Sequence, residues 1–307
     1  MRIERHIYGS RRGYATLAHS AGLGAADCRA LECLAFGTPY DPAYRASLDD
    51  APAWWSRPVG DTRRAVTRVR PGAPDDAGRP TLLFVTAVLS RDDWDELLLA
   101  DVRPLLRCAA LWEWEHGQSL AAVELPPPAP PPLDLDDATT GRVLGLLSLI
   151  ELNWQARRPV VVSEEQYTAD EVAAIERLLP PAARRQYSAS WRSLSPELGA
   201  TLTAVARGLP APRVPLREAR APYARLLAAE GLARAEAVGQ YYDQFGQPDV
   251  TFGRSPVESD MGDSHGAPLA PPDGVRLHTV VFIAVLVLML LLGGAGGWLL
   301  RQATAAK

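Results

Sequence analysis

Lysine is almost absent from this chain of 307 residues, since the single lysine is Lys307 at the C-terminus. A Walker-type loop needs a lysine on the phosphates of the nucleotide, and a protein kinase needs its strand lysine. Schiff-base and pyridoxal-phosphate enzymes likewise need a reactive amine. The residues before the C-terminus therefore cannot form any of these sites, and the chain is predicted to be neither a Walker-type nucleotide hydrolase nor a kinase.

Cysteine and metal-binding motifs are also scarce. The three cysteines, Cys28, Cys33 and Cys108, form no CxxC pair, and no HExxH motif occurs. We expect no metal site and no cofactor. The N-terminal sequence MRIERHIYGS is charged and has no apolar core, so no secretory signal is expected and the cysteines are predicted to be reduced and buried.

Positive charge is in deficit before the C-terminal apolar segment. Residues before position 276 include 29 basic and 36 acidic side chains, a net charge of −7. A phosphate backbone requires a basic surface, and this balance does not provide one. Nucleic acid is therefore not expected as a partner.

One long hydrophobic run is present, from 277 to 300, and it contains no Asp, Glu, Lys or Arg. As a helix it would span roughly 36 Å, which is enough for a hydrocarbon core of about 30 Å. We therefore predict a single transmembrane helix and a lipid bilayer as one partner. Gly293 and Gly297 form a GxxxG motif in this run, which allows a homodimer through the anchor; composition alone is the alternative explanation of these glycines.

Two further boundaries divide the chain. Residues 239–275 are rich in Gly, Pro, Ser and Asp and predict an acidic flexible linker, and the sequence PPPAPPP within 126–133 predicts a stiff connector. The predicted fold class is α+β, a two-lobed mixed α/β soluble domain followed by the linker and one transmembrane helix. The lobes are a mixed N-terminal lobe over 1–125 and a helix-rich lobe over 134–238.

Local patterns predict several elements. RIERHIY and YATLAH, joined by GSRRG, predict a β-hairpin. Residues 25–36 have helical spacing, and TLLFVTAVL at 81–89 predicts a central strand. Ser90 is expected to cap a helix that begins RDDWDELL, and Thr168 with Glu171 predicts a capping box.

Catalytic signatures are weak. GDSHG at 262–266 matches GxSxG literally, but it lies between prolines in the predicted linker, without the strand and helix that this motif requires. His6, His19 and Ser20 would form a small polar site if the hairpin places them together, with the histidines at roughly opposite ends of its pairing. Ordinary strand positions are the alternative. Trp54 and Trp55 are expected either to pack in the core or to form an aromatic interface.

The stretch HIYGSRRGYATLAHSAGL, from His6 to Leu23, resembles the N-terminal region of bacterial GTPase-associated proteins. WWSRP at 54–58, GRPTLLFV at 78–85 and LLPPAARRQYSASW at 178–191 are also similar to that family. The resemblance covers about 1–210 and implies a partner of a GTPase in a bacterial conflict or stress system. The residues that we propose for binding are His6, Tyr8, Gly9, Gly13, Tyr14, His19, Ser20, Trp54 and Trp55.

Three functions remain open at this level. The leading hypothesis is a membrane-tethered cytoplasmic adaptor whose partner is a protein, such as a GTPase. The alternatives are a hydrolase that uses His6, His19 and Ser20, and a structural membrane protein. Arg276 lies before the anchor, and Arg301 and Lys307 lie after it, which mildly favours a cytoplasmic C-terminus. We nevertheless expect the N-terminal domain in the cytoplasm at the inner membrane, because lobes of this size begin to fold before the anchor is synthesised.

Overall fold

The computed structural model describes residues 1–35, 45–46, 48, 52–126, 133, 135–193, 200–207 and 221–245. It is a mixed α/β domain built on one large sheet, which confirms the predicted combination of helices and strands. Residues Met1–Ser255 form one compact unit. The predicted anchor over 277–300, with Gly293 and Gly297, lies outside the described residues, as does the predicted linker from 246 onward. The linker prediction is wrong for residues 239–245, which belong to a helix that ends at Phe245 and packs on the domain. No helix within the described ranges is both long and apolar enough to cross a membrane.

The described strands form a nine-stranded sheet. The strands are β1 (Arg2–Ser10), β2 (Tyr14–His19), β3 (Ala53–Val59), β4 (Arg63–Gly72), β5 (Thr81–Ser90), β6 (Val123–Glu124), β7 (Val160–Ser163), β8 (Ala189–Ser193) and β9 (Leu202–Val205). Their order is β2-β1-β5-β4-β3-β8-β9-β7, and β6 pairs with the start of β1. Pairing is antiparallel from β2 to β8, whereas β8 and β7 both run parallel to β9.

Helices connect and cover the strands. They are α1 (Ala25–Ala35), α2 (Arg103–Arg107), α3 (Ala109–Trp112), α4 (Asp137–Trp154), α5 (Ala169–Leu178), α6 (Pro181–Arg184), α7 (Pro222–Glu230) and α8 (Ala235–Phe245), with a π-helical turn at Asp93–Leu97 and a 3-10 turn at Leu232–Arg234. Asp136 caps α4 by accepting from the backbone of Thr139 at 2.7 Å. The predicted capping box of Thr168 and Glu171 opens α5 and is confirmed.

The two faces of the sheet have different chemistry. One face carries Ile7, Val85, Trp54, Trp191 and Ala204 in one transverse row, and these residues belong to the main hydrophobic core with α4, α5 and α7. This core therefore contains strands from both sides of the Pro-rich segment. The opposite face has two smaller apolar clusters and, between them, a line of polar side chains.

Several local predictions are confirmed, whereas some elements were not predicted. The hairpin, α1 and β5 occur where their patterns indicated. A short helix begins after Ser90 as predicted, and Ser90 Oγ accepts from the backbone N–H of Asp93 at 3.0 Å. It differs from the prediction in being π-helical over Asp93–Leu97. Strands β3 and β9 were not predicted. Pro58 lies in β3 where that strand pairs with β4 but extends past β8, so its missing N–H breaks no strand pairing.

Candidate functional site

One transverse row of side chains crosses eight strands on the polar face of the sheet. In register across the sheet it consists of His19, His6, Thr86, Thr67, Trp55, Ser190, Thr203 and Val161. Residues that are directly opposite each other on neighbouring strands point to the same face. Seven of these eight side chains therefore place a polar group on one side of the sheet.

The sequence-predicted residues divide between the two faces. His6, Tyr8, Tyr14, His19 and Trp55 share the polar face. Tyr8, Tyr14 and Trp55 also surround Phe84, with ring centroids 5.7–6.3 Å from it. Two residues of the hairpin, Tyr8 and Tyr14, therefore belong to an aromatic cluster beside the polar row.

Gly9, Gly13, Ser20 and Trp54 are not part of this assembly. Trp54 is buried in the main core on the opposite face. Gly9 lies close to Leu17 and Leu83, where a Cβ would approach their side chains to 3.0 Å, and Gly13 has φ of 138° at the hairpin turn, a conformation that favours glycine. Trp54 and Trp55 are both buried, so neither presents the exposed aromatic surface that one sequence hypothesis required.

His6 takes part in a relay of hydrogen bonds to an acid. The Thr16 hydroxyl lies 2.5 Å from Glu32 Oε1 and 2.7 Å from His6 Nε2. Because a hydroxyl has one hydrogen, donation to the Glu32 carboxylate requires that His6 Nε2 donate to Thr16. His6 Nδ1 is then a bare acceptor, buried and without a partner in the described part of the chain.

Burial keeps His6 neutral. Desolvation lowers the pKa of its imidazole to about 4, and the opposing effect of Glu32 is smaller. His19 pairs in register with His6 rather than lying at the opposite end of the hairpin pairing, and its side chain is exposed, with Nδ1 3.1 Å from the carbonyl oxygen of Ser20. The histidines therefore differ in environment although they are cross-strand neighbours.

Ser20 has a structural position. Its hydroxyl accepts from the backbone N–H of Arg5 at 2.8 Å and donates to the carbonyl oxygen of Arg5 at 3.2 Å. These bonds extend the pairing of β1 beyond the end of β2. Within the described residues no hydrogen bond joins the Ser20 hydroxyl to the imidazole of His6 or His19, so the nucleophile and base of the hydrolase hypothesis are not assembled.

Sequence reasoning missed several polar residues of this face, including Arg57, Thr67, Thr86, Ser190 and Thr203. The Thr67 hydroxyl is 2.9 Å from that of Thr86 and so has a partner. Arg57 lies two residues after Trp55 and stacks on its indole, with Cζ 5.1 Å from the ring centroid. The alternation WxRxV in β3 would have placed Trp55 and Arg57 on one face, but β3 itself was not predicted.

A cavity of about 480 Å³ lies elsewhere, beside α5 and α8. Its lining includes Leu99, Arg177, Leu232 and Glu236, and none of the sequence-predicted residues. Its charged groups already have partners, because Arg177 lies 3.7 Å from Asp101 and Glu236 lies 2.7 Å from Arg184. Among the residues that the structure covers, no group of His, Cys, Asp and Glu side chains could hold a metal ion.

No family model matches this chain, and no curated protein or solved structure matches it. The resemblance to GTPase-associated proteins is not tested by these comparisons and stays a prediction. Function must therefore be argued from the geometry of the hairpin and of the polar face.

Proposed function

We propose that this chain is a membrane-tethered adaptor, which binds a partner protein through the sheet edge formed by the β1–β2 hairpin. The single observation that carries the proposal is the position of β2 at the end of the strand order. An edge strand has backbone N–H and C=O groups that can pair with a strand of another protein. Tyr14, Ala15 and His19 on this strand are exposed.

One position of this edge is already occupied by α1. The N–H of Thr16 donates to Glu32 Oε1 at 3.2 Å, and the β-bulge between Ile7 and Tyr8 changes the register there. Such features limit unspecific pairing along an edge. A partner strand would therefore pair with β2 on either side of Thr16, and its residues would have to fit around the contact between Thr16 and Glu32.

A GTPase is the partner that we propose, because the residues of this hairpin carry the family resemblance. In this proposal the two lobes, together with α8, which extends to Phe245, form the folded domain. The acidic linker that follows α8 acts as a stalk, and 277–300 crosses the inner membrane. The missing lysine supports a role as partner of a nucleotide-binding protein rather than as a Walker-type enzyme.

Binding to purified GTPases of the same genome tests the proposal. The full-length chain in lipid nanodiscs would be immobilised and titrated with each GTPase, loaded with GDP or with a non-hydrolysable GTP analogue. Ala15→Lys should weaken binding by at least about tenfold, because a charged side chain on an edge strand opposes strand addition. Thr62→Lys, at the exposed β3–β4 turn, is the control and should bind like the parent chain. If no GTPase binds, or if Ala15→Lys binds normally, the proposal is wrong.

The orientation in the membrane is proposed to place the folded domain in the cytoplasm. The free thiols of Cys28 and Cys108 suit a reducing compartment. A membrane-impermeant protease added to spheroplasts should leave the domain intact and remove a tag placed after Lys307. Digestion of the domain with protection of the tag would reverse the topology.

A further inference from the structure

Three consecutive members of the polar row are buried without hydrogen-bond partners. Trp55 on β3, Ser190 on β8 and Thr203 on β9 are in register on adjacent strands, with exposed fractions of 2%, 0% and 0%. In the described part of the structure, nothing bonds to Trp55 Nε1, Ser190 Oγ or Thr203 Oγ1. An unsatisfied buried polar group destabilises a fold, so three of them side by side require a physical explanation.

A cationic side chain lies beside the first of these groups. Arg57 follows Trp55 on the same face of β3 and stacks on its ring at 5.1 Å. Its Nε and Nη2 are buried and, among the described residues, have no hydrogen-bond partner. Burial lowers the pKa of Arg57 to about 10, and no carboxylate opposes this effect. Arg64 on β4 provides the contrast, because its buried guanidinium is paired with Glu176.

The chemistry of these four groups selects one class of ligand. An indole N–H and a guanidinium can only donate hydrogen bonds, and each hydroxyl can donate one. A guanidinium fork matches the paired oxygens of carboxylate or phosphate. A cation would meet repulsion from Arg57, and an apolar ligand would leave every donor unsatisfied. We propose that Trp55, Arg57, Ser190 and Thr203 form a binding site for an oxyanion, the phosphate or carboxylate group of a small molecule.

The tryptophan indoles provide a direct readout. The full-length chain in detergent micelles, labelled with ¹⁵N-tryptophan, should show eight indole N–H signals, and Trp55→Phe identifies that of Trp55. Titration with inorganic phosphate, and separately with succinate, should shift the Trp55 signal saturably. Sodium chloride at matched ionic strength controls for screening. The Trp94 signal should stay in place, because Trp94 Nε1 already donates to Glu176 Oε1 at 2.9 Å.

The variants separate a built site from an unspecific effect of salt. Arg57→Gln should weaken binding of the effective anion by at least about tenfold, as expected for loss of a charged hydrogen-bond donor. Arg68→Gln is the matched control, since Arg68 also stacks on a tryptophan, 5.4 Å from the centroid of Trp112, but lies on the other face. Thr203→Val should weaken anion binding and raise the melting temperature of the anion-free protein, because it removes an unpaired buried hydroxyl.

The outcomes also distinguish the two anion classes. A response to phosphate alone assigns a phosphorylated ligand, and a response to succinate alone assigns a carboxylate. No saturable shift with either anion would overturn the proposal and leave a site filled by water only. An equal shift in Arg57→Gln and in the parent chain would also overturn it. These results do not depend on any partner protein, so they test the oxyanion site separately from the adaptor function.

Discussion

Arg64 and Glu176 form a buried ion pair that joins β4 to α5, with 2.5 Å between Arg64 Nη2 and Glu176 Oε2. Arg64 also donates to the carbonyl oxygen of Tyr187 at 2.6 Å, and Trp94 Nε1 donates to the second carboxylate oxygen of Glu176. The carboxylate and the guanidinium therefore have protein partners in place of water. This network connects the sheet to the helical layer across the main core.

Removing one member of this pair should be severely destabilising. Glu176→Leu leaves the Arg64 guanidinium buried without its counter-ion, and we expect a loss of about 3–5 kcal/mol in the free energy of unfolding. The double variant Arg64→Leu with Glu176→Leu should lose less than the sum of the single losses. Chemical denaturation followed by tryptophan fluorescence measures these values. Glu230→Gln, which breaks the exposed pair of Glu230 with Arg234, should change stability very little. Similar losses in Glu176→Leu and Glu230→Gln would contradict the assignment of a stabilising buried ion pair.

The buried imidazole of His6 should make the protein less stable in acid. Its folded pKa of about 4 lies below the value of about 6.5 for an unfolded histidine. Between these values the unfolded chain binds more protons, so the stability contributed by the neutral imidazole is present above pH 6.5 and is lost as the pH falls to 4. Relative to His6→Gln, the parent chain should lose about 2–4 kcal/mol over this interval.

Denaturation of both proteins at several pH values between 4 and 7 measures this difference. The comparison with His6→Gln is needed because Glu176 acts in the opposite direction. Burial raises the pKa of Glu176 to about 7, so its contribution falls as the pH rises from 4.5 to 7, and it is common to both proteins. A constant difference between the two proteins across the range would show that His6 titrates normally.

Nucleotide hydrolysis should be absent from the purified chain. The reason is chemical, because no lysine precedes Lys307 and a Walker-type loop requires one. Phosphate release from GTP and ATP should equal that of a mock preparation. Turnover that co-purifies with the chain through several columns, and that is altered by Arg57→Gln, would refute this prediction and indicate a different kind of nucleotide site.

The predicted anchor should be separable from the folded domain. Removing residues 277–307 deletes the apolar run that we assign to the bilayer. The remaining chain should be monodisperse without detergent and should melt cooperatively. Aggregation without a cooperative transition would show that the apolar run contributes to the core of the domain.

Association through the anchor has its own test. Replacement of both Gly293 and Gly297 by Leu should weaken dimerisation in a membrane reporter assay, because bulky side chains prevent close approach of two helices. Replacement of Gly294 and Gly296 by Leu is the matched control, since it alters as many glycines in the same segment but leaves the GxxxG pair intact. Equal dimerisation by both variants would show that the GxxxG pair has no specific role in association and that these glycines only reflect the amino-acid composition.

Sequence by itself determined the features that depend on residue type or on short spacing. The absence of lysine before Lys307 decides which phosphate chemistries are unavailable, whatever the fold. The β1–β2 hairpin and the capping box of Thr168 and Glu171 were predictable because their contacts join residues close in sequence. The presence of both helices and strands was evident for the same reason, from periodicity within single elements.

Only the tertiary structure decided how these elements combine into the polar row and the ion pair. Trp55 pairs with Ser190 across more than 130 residues of chain, and Arg64 meets Glu176 with a separation of 112. Neither contact has a local signal, because a strand pattern indicates the face of a side chain but not the neighbouring strand. The charge of Arg57 and Arg64 predicts exposure. The fold instead buries Arg64 against the carboxylate of Glu176 and half-buries Arg57 on the ring of Trp55.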